Sequence, residues 1–202
     1  ADVDAAVKSG RAAFESGVWS RMPPIERKRI LMRFSELILA NREELALLET
    51  LNVGKPIANS YNGDVPSAAN CIAWYAEAID KVYGEVAATS HDMTTLIVRE
   101  PLGVVAAVVP WNYPLSMAAW KLGPALATGN SVVLKPAEQS PFSALKIAEL
   151  AIEAGVPTGV LNVVPGLGHV AGKALGLHMD VDCVGFTGST EVGRILMAQS
   201  AP

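Results

Sequence analysis

Four short runs in the second half of the sequence carry the side chains that could do chemistry. Pro110-Trp111-Asn112-Tyr113-Pro114 sets an asparagine between two prolines. Proline locks φ and stiffens the chain, so the Asn112 amide is presented in one place. There it could donate to an oxyanion or simply cap a following helix. Lys135-Pro136-Ala137-Glu138 puts a cation and a carboxylate three residues apart. An acid shortly after a strand commonly accepts hydrogen bonds from a ribose diol, and a lysine beside it can donate to the same hydroxyls. The alternative is a surface ion pair of little energetic weight. Pro165-Gly166-Leu167-Gly168 and Phe186-Thr187-Gly188-Ser189-Thr190-Glu191-Val192-Gly193 are glycine-bearing turns. A Gly-Ser-Thr corner that opens a helix offers free N–H groups and hydroxyls to an anion such as a pyrophosphate. Ser and Thr are also ordinary helix caps, and neither run is a true G-x-G-x-x-G.

Each run follows an apolar segment of strand length. Val104–Val109, Ser131–Leu134, Val160–Val164 and Val181–Phe186 read as strands, with helices expected over Leu115–Ala127, Ser140–Ala154, His169–Leu177 and from Ser189 onward. The strand segments are continuously apolar rather than alternating, so both faces should be covered. That predicts an α/β fold, an open doubly wound parallel sheet with helices on each side and right-handed crossovers. In such a sheet ligands bind beyond the carboxyl ends of the strands, where the four runs lie. Residues 102–202 are therefore expected to form a Rossmann-like βαβ core, and residues 1–83 a helical part preceding it.

Within that helical part, Ile30, Leu31, Phe34, Leu37 and Ile38 share one face of a helix over Ile25–Ala40. Asn41 with Glu44 has the spacing of a capping box, and Leu45, Leu48 and Leu51 form a stripe that Gly54 and Pro56 end. A third helix is predicted from Pro66 to Tyr83 with Ile72, Tyr75, Ile79 and Val82 inward. Residues 84–101 change character: Gly84–Ala88 and the stretch around Thr94–Val98 favour paired strands across a polar turn, a protruding β-hairpin arm.

Composition narrows the class. Half the residues are apolar, 18% are charged, the net charge is −4 and mean hydropathy is positive. A packed globular chain is expected, not a disordered one and not a nucleic-acid surface. The basic cluster Arg27, Lys28, Arg29 and Arg33 reads as the wet face of a helix. No run has the length of a membrane helix, and no leader pattern opens the chain, so a cytoplasmic protein is expected. The two cysteines, Cys71 and Cys183, lack metal-ligand spacing, and no metal site or disulfide framework is indicated.

Taken together, PWNYP, AWKLGPALATGNSVVLKPAEQSP, GVLNVVPGLG and FTGSTEVG resemble the NAD(P)-dependent aldehyde dehydrogenase superfamily, over the whole length of the chain. ELALLETLNVGKPI and WYAEAIDKVYGEV further resemble bacterial γ-glutamyl-γ-aminobutyraldehyde or guanidinobutyraldehyde dehydrogenases. The resemblance implies NAD-dependent oxidation of an aldehyde to a carboxylic acid through a cysteine thiohemiacetal and thioester. Asn112 matches the oxyanion-stabilising asparagine, and Lys121 a lysine linked to proton relay. Lys135 and Glu138 match the pair that holds the adenosine ribose, the Glu138 carboxylate favouring NAD over NADP by repelling a 2′-phosphate. Ser189 with Gly188 matches the pyrophosphate contact, Gly168 and Val192 match positions around the adenine, and Pro110 and Trp111 line the cofactor. Tyr113, Met117 and Trp120 match the lining of the aldehyde tunnel, although plain helix packing would also account for Met117 and Trp120. The arm matches a hairpin that packs on a neighbouring subunit, which implies a homodimer or homotetramer.

Departures accompany these matches. Members of that superfamily are more than twice as long, and their N-terminal strand region has no counterpart here. Their general-base glutamate and nucleophilic cysteine are expected beyond Pro202. Cys71 and Cys183 read instead as small buried hydrophobes, since a reactive thiolate needs an electropositive, partly open setting. This chain by itself is therefore expected to bind the dinucleotide without turnover. A non-catalytic binding or structural relative is the alternative.

Overall fold

The computed structural model describes residues 1–201. Three helices open the chain: α1 (Asp2–Ser16), α2 (Pro24–Ala40) and α3 (Arg42–Val53). α1 and α3 stop at Gly17 and Gly54, both left-handed, a conformation that costs glycine nothing. A short turn, α4 (Ile57–Asn59), widens into a π-helical turn over Ser60–Asp64 and runs on as α5 (Val65–Ala78). The antiparallel pair β1 (Glu85–Ala87) and β2 (Thr95–Ile97) forms the arm. Then come β3 (Val104–Val108), α6 (Pro114–Ala127), β4 (Ser131–Lys135), α7 (Phe142–Ala154) and β5 (Leu161–Val163). A π-helical turn over Gly168–Gly172, α8 (Lys173–Gly176), β6 (Cys183–Phe186) and α9 (Thr190–Ser200) complete it.

β3, β4, β5 and β6 make one wholly parallel sheet in the order β5-β4-β3-β6, so the doubly wound expectation holds. Every residue of β3 and β4 is buried, as strands covered on both faces must be. On one face Val105, Ala107, Val132 and Leu134 join α2, α5, α6 and α7 in the larger core. On the other, Val104, Ala106, Val108 and Val133 meet Val3 and Val7 of α1 and Leu175 of α8. The chain thus steps outward through β3, β4 and β5 on one face, then returns on the opposite face to β6. The register is level: Val108 stands opposite Lys135 and Phe186, and Leu134 opposite Val163.

Several local expectations need correcting. Asn41 does not cap α3 through its side chain, which instead donates back to Leu37 O. The buried face of α3 is Leu45, Ala46 and Glu49, while Leu51 is exposed. α5 ends at Ala78 with a 3-10 turn over Ile79–Lys81, and Val82 is exposed rather than inward. Arg27 is no part of a wet face: its guanidinium is buried and donates to Met22 O at 2.7 Å.

α5 and α6 pack closely where Gly123 lets them. A Cβ built there would lie 2.5 Å from Cδ2 of the Tyr75 ring. Helix propensity alone favours alanine over glycine by about 1 kcal/mol, but overpacking a dense interface costs about 1–3 kcal/mol. The clash is with the near edge of a ring, so overpacking wins. Gly123→Ala is expected to lower the urea midpoint; a raised midpoint would show that the two helices part freely.

Candidate functional site

Because the strand ends are level, the loops after β3, β4 and β6 leave the sheet side by side. The loop after β3 carries Pro110, Trp111, Asn112 and Tyr113. Trp111, Asn112 and Tyr113 line a cleft of about 770 Å³, faced by Lys55, Asn62 and Asp64 from the connection between α3 and α5. α6 starts at Pro114 with Tyr113 in the cap position and no side-chain cap there. The Leu115 N–H is taken at 3.2 Å by the carboxylate of Glu49, a residue of α3. Asn112 is therefore not the cap of α6.

Glu49 is fully buried and also accepts a hydrogen bond from Ser143 Oγ at the start of α7. Its second oxygen, Oε2, is buried with no partner among the described residues. Loss of solvent pushes the carboxyl above its ordinary value, and the Ser143 hydroxyl and the nearby Lys55 charge only partly offset this. Lys55 pairs with Asp64 at 2.7 Å, both side chains largely shielded. The Lys55 ammonium also stands 4.3 Å from the centroid of the Tyr113 ring, a cation–π distance. Sequence reasoning missed Glu49, Lys55 and Asp64. A legible signal existed, since Glu49 sits four residues after Leu45 on the inward stripe of α3.

The second cleft lies beyond β4 and β6. Lys135, the last residue of β4, is only 2% exposed. Its ammonium donates to Pro136 O at 2.8 Å and to Glu138 Oε2 at 3.3 Å. The Glu138 carboxyl is held below the ordinary glutamate range, first by its own backbone N–H, then by Lys135 and the backbone of Gly168. Gly168, with Val108, Val192, Ile195 and Leu196, lines a cleft of about 350 Å³ between the π-helical turn and α9. An added Cβ at Gly168 would meet nothing within 4 Å. Ser189 caps α9, its hydroxyl accepting from the Val192 N–H at 3.3 Å. At Gly188 a Cβ would meet the tip of the Phe186 ring at 2.5 Å, so a larger residue there would push that ring aside. Gly168 and Val192 line this cleft; Glu138 lies against the Gly168 backbone beside it, and Ser189 caps the helix to which Val192 belongs.

The expected tunnel residues are not gathered in this way. Tyr113 lines the Asn112 cleft, whereas Trp120 and Lys121 line a separate hollow with Cys71, Trp74 and Tyr75. Met117 is half-buried against the larger core, and the Lys121 stem reaches within 3.5 Å of where a Gly185 Cβ would stand on β6. Both cysteines are free and half-buried rather than fully buried. Desolvation raises the Cys71 thiol, the opposite of what a nucleophile needs. Among the described residues no group of three or more His, Cys, Asp or Glu could hold a metal ion.

Comparison with known proteins adds an independent finding. The aldehyde dehydrogenase family profile matches residues 1–202. The chain is 59% identical over 196 residues to the NADP/NAD-dependent aldehyde dehydrogenase PuuC of Escherichia coli, covering 97% of this chain and 40% of that protein. Indole-3-acetaldehyde dehydrogenase of P. syringae, solved with NAD+, is 62% identical with a TM-score of 0.98, over 98% of this chain and 40% of that one. Gamma-glutamyl-gamma-aminobutyraldehyde dehydrogenase from Burkholderia cenocepacia is 58% identical with a TM-score of 0.97, again over 98% and 40%. The chain thus spans about 40% of the length of these relatives.

The buried Glu49 makes stability depend on pH. A carboxyl whose folded value is raised binds its proton more tightly folded than unfolded. Its contribution is therefore complete below the ordinary value of 4.5 and is lost as pH climbs from there to the raised value. Glu49→Gln is expected to flatten this part of the stability–pH curve. An unaltered slope in denaturant titrations would rule out Glu49 as its source.

Proposed function

The chain belongs to the aldehyde dehydrogenase family, and on that premise we propose that the intact protein oxidises an aldehyde to its carboxylic acid with NAD. This chain then supplies the dinucleotide cleft and the amide that receives the oxyanion. The observation that carries the reading is a chain of neighbours: Glu138 lies against the Gly168 backbone, Gly168 faces Val192 across one cleft, and Ser189 caps the helix at Val192. The place of that cleft supports the reading too. It opens at the carboxyl ends of β3 and β6, where the chain reverses direction across the sheet, which is where open α/β sheets hold nucleotides.

The residues fit a dinucleotide in their chemistry. The apolar slot between Gly168 and α9 suits an adenine ring, and an ionised Glu138 beside Lys135 suits a ribose diol. The α9 N-terminus at Gly188 and Ser189 suits a pyrophosphate. Pro110 and Trp111, on the loop that carries Asn112, are assigned to the cofactor's path toward that amide. Glu138 would repel a 2′-phosphate, which makes NADP the poorer ligand. When bound, the nicotinamide supplies the hydride acceptor. The chain's own work is to donate the Asn112 amide to the oxygen that gains charge when a thiolate attacks the aldehyde. Tyr113, Met117 and Trp120 are assigned to the aldehyde's path and Lys121 to proton handling. Cys71 and Cys183 suit neither nucleophile nor base, so those roles fall to residues outside this stretch.

We also assign the β1–β2 arm to assembly of a homodimer or homotetramer. Val86, Leu96 and Val98 project from it with about two-thirds or more of their surface in water, an apolar surface that a second copy would cover. No helix among the described residues is long and apolar enough to cross a membrane, and free cysteines fit a reducing compartment. We place the protein in the cytoplasm.

Steady-state kinetics and calorimetry on the intact protein test the site. Asn112→Ala should lower kcat by about 10²–10³-fold with NAD affinity kept, and an unchanged kcat would remove Asn112 from the chemistry. On the same samples Glu138→Gln should weaken NAD and narrow the preference over NADP; equal affinities before and after would clear Glu138 of ribose binding. For the arm, Leu96→Asp should shift sedimentation to smaller species, and a constant sedimentation coefficient refutes that surface.

A further inference from the structure

We infer that Glu49 is a positioning residue: from helix α3 it holds the Asn112 loop to the loop that carries Glu138, so that oxyanion donor and cofactor cleft keep one geometry. The inference rests on the reading of Asn112 just given. Two helices begin directly after the two loops, α6 after Asn112-Tyr113 and α7 after the Glu138 turn. The first N–H groups of a helix have no partner within it and must find one elsewhere. α6 has proline first, and neither helix has a cap from its own side chains. Both take their caps from α3. Glu49 accepts from the Leu115 N–H of α6 at 3.2 Å and from Ser143 Oγ of α7. Asn52, one residue short of a turn further along, accepts from the Phe142 N–H of α7 at 3.0 Å.

The first free N–H of α6 and a hydroxyl at the start of α7 thus meet on Glu49, a carboxyl with no solvent contact. A second hold acts on the same loop. Lys55, just past the end of α3, places its ammonium on the Tyr113 ring and is itself fixed by Asp64. Asn112 is therefore bracketed: its neighbour Tyr113 is held by Lys55, and Leu115 three residues on is held by Glu49. Glu49 touches no part of the proposed cofactor cleft, so its effect on turnover would pass through Asn112. Misplacing a reacting group by about 1 Å can lower a rate by about 10²-fold.

The test uses the intact protein with three variants and three readings: kcat, NAD affinity by calorimetry, and hydrogen exchange at the Leu115 amide. Glu49→Ala removes the acceptor of both hydrogen bonds and is expected to speed exchange at Leu115 and cut kcat by about 10–100-fold, with NAD affinity and aldehyde KM little changed. Glu49→Gln retains an acceptor oxygen and is expected to restore slow exchange and most of kcat. Ser143→Ala cuts only the link to α7 and should give a smaller fall in kcat; it and Glu49→Gln decide the matter if Glu49→Ala does not fold. Three results overturn the inference. These are fast exchange with parental kcat in Glu49→Ala, equal impairment in Glu49→Ala and Glu49→Gln, and parental values throughout in Ser143→Ala. Failure of the underlying reading looks different, because then Asn112→Ala itself would leave kcat intact.

Discussion

Everything in this structure hangs on a parallel sheet that must be dry on both faces. β3 and β4 are buried at every residue, and burying a polar group without a partner costs roughly 1–3 kcal/mol. Strand side chains are thereby reserved for packing, and chemistry is pushed to the loops at the strand ends. Lys135 is the one ionisable side chain those two strands carry, and it obeys the constraint. Its stem lies in the interior, while its ammonium meets Pro136 O and Glu138 at the edge. The level register then does the rest, because Lys135, Val108 and Phe186 stand abreast. Loops that are far apart in sequence are delivered to one rim.

The same constraint explains how the helices that follow each strand begin. A helix that starts at the sheet's rim points unsatisfied N–H groups toward the loops. α9 meets the need locally, with Ser189 in the cap position. α6 cannot, since it opens Tyr113-Pro114, and it imports Glu49 from α3 instead. Proline suits the first helical position because its missing N–H is one fewer to satisfy. It also leaves Asn112 free of capping duty.

The sequence made the parallel sheet and its strands legible because continuous apolar runs admit few alternatives, whereas the strand order β5-β4-β3-β6 comes from the fold. The same runs placed every strand to within about two residues. It also exposed Glu138, Gly168, Val192 and Ser189 as separate features of strand-end loops, although the placing of Gly168 and Val192 in one cleft, with Glu138 and Ser189 next to them, follows only from the fold. What stayed hidden was paired polarity in the interior. Arg27 and Glu49 were legible as charges, and charges are usually wet; their burial depends on backbone groups of distant segments, Met22 O for one and Leu115 N–H for the other. Asn41 misled for a related reason, because its amide found Leu37 O before it found the next helix. The placing of the tunnel residues was equally hidden. Tyr113 and Trp120 line different hollows within this stretch of chain, and helical spacing alone cannot report that.

The capping arrangement bears on why no G-x-G-x-x-G turn is found after the first strand of the sheet. In a dinucleotide fold of the usual kind that turn brings the pyrophosphate to the first helix, which needs a bare N-terminus and glycine-sized backbone. Here the turn is Pro-Trp-Asn-Tyr-Pro, bulky and stiff, and the first available N–H of α6 is already bonded to Glu49. A phosphate placed there would have to displace a buried carboxylate and leave Ser143 Oγ without its acceptor. At α9 a neutral hydroxyl caps the helix, and the one carboxylate of its first turn, Glu191, is exposed rather than buried against its N–H groups. On the proposed reading an anion would be directed from the first helix of the sheet to the last, and the β3 loop would be left to carry an amide donor in place of a phosphate cradle.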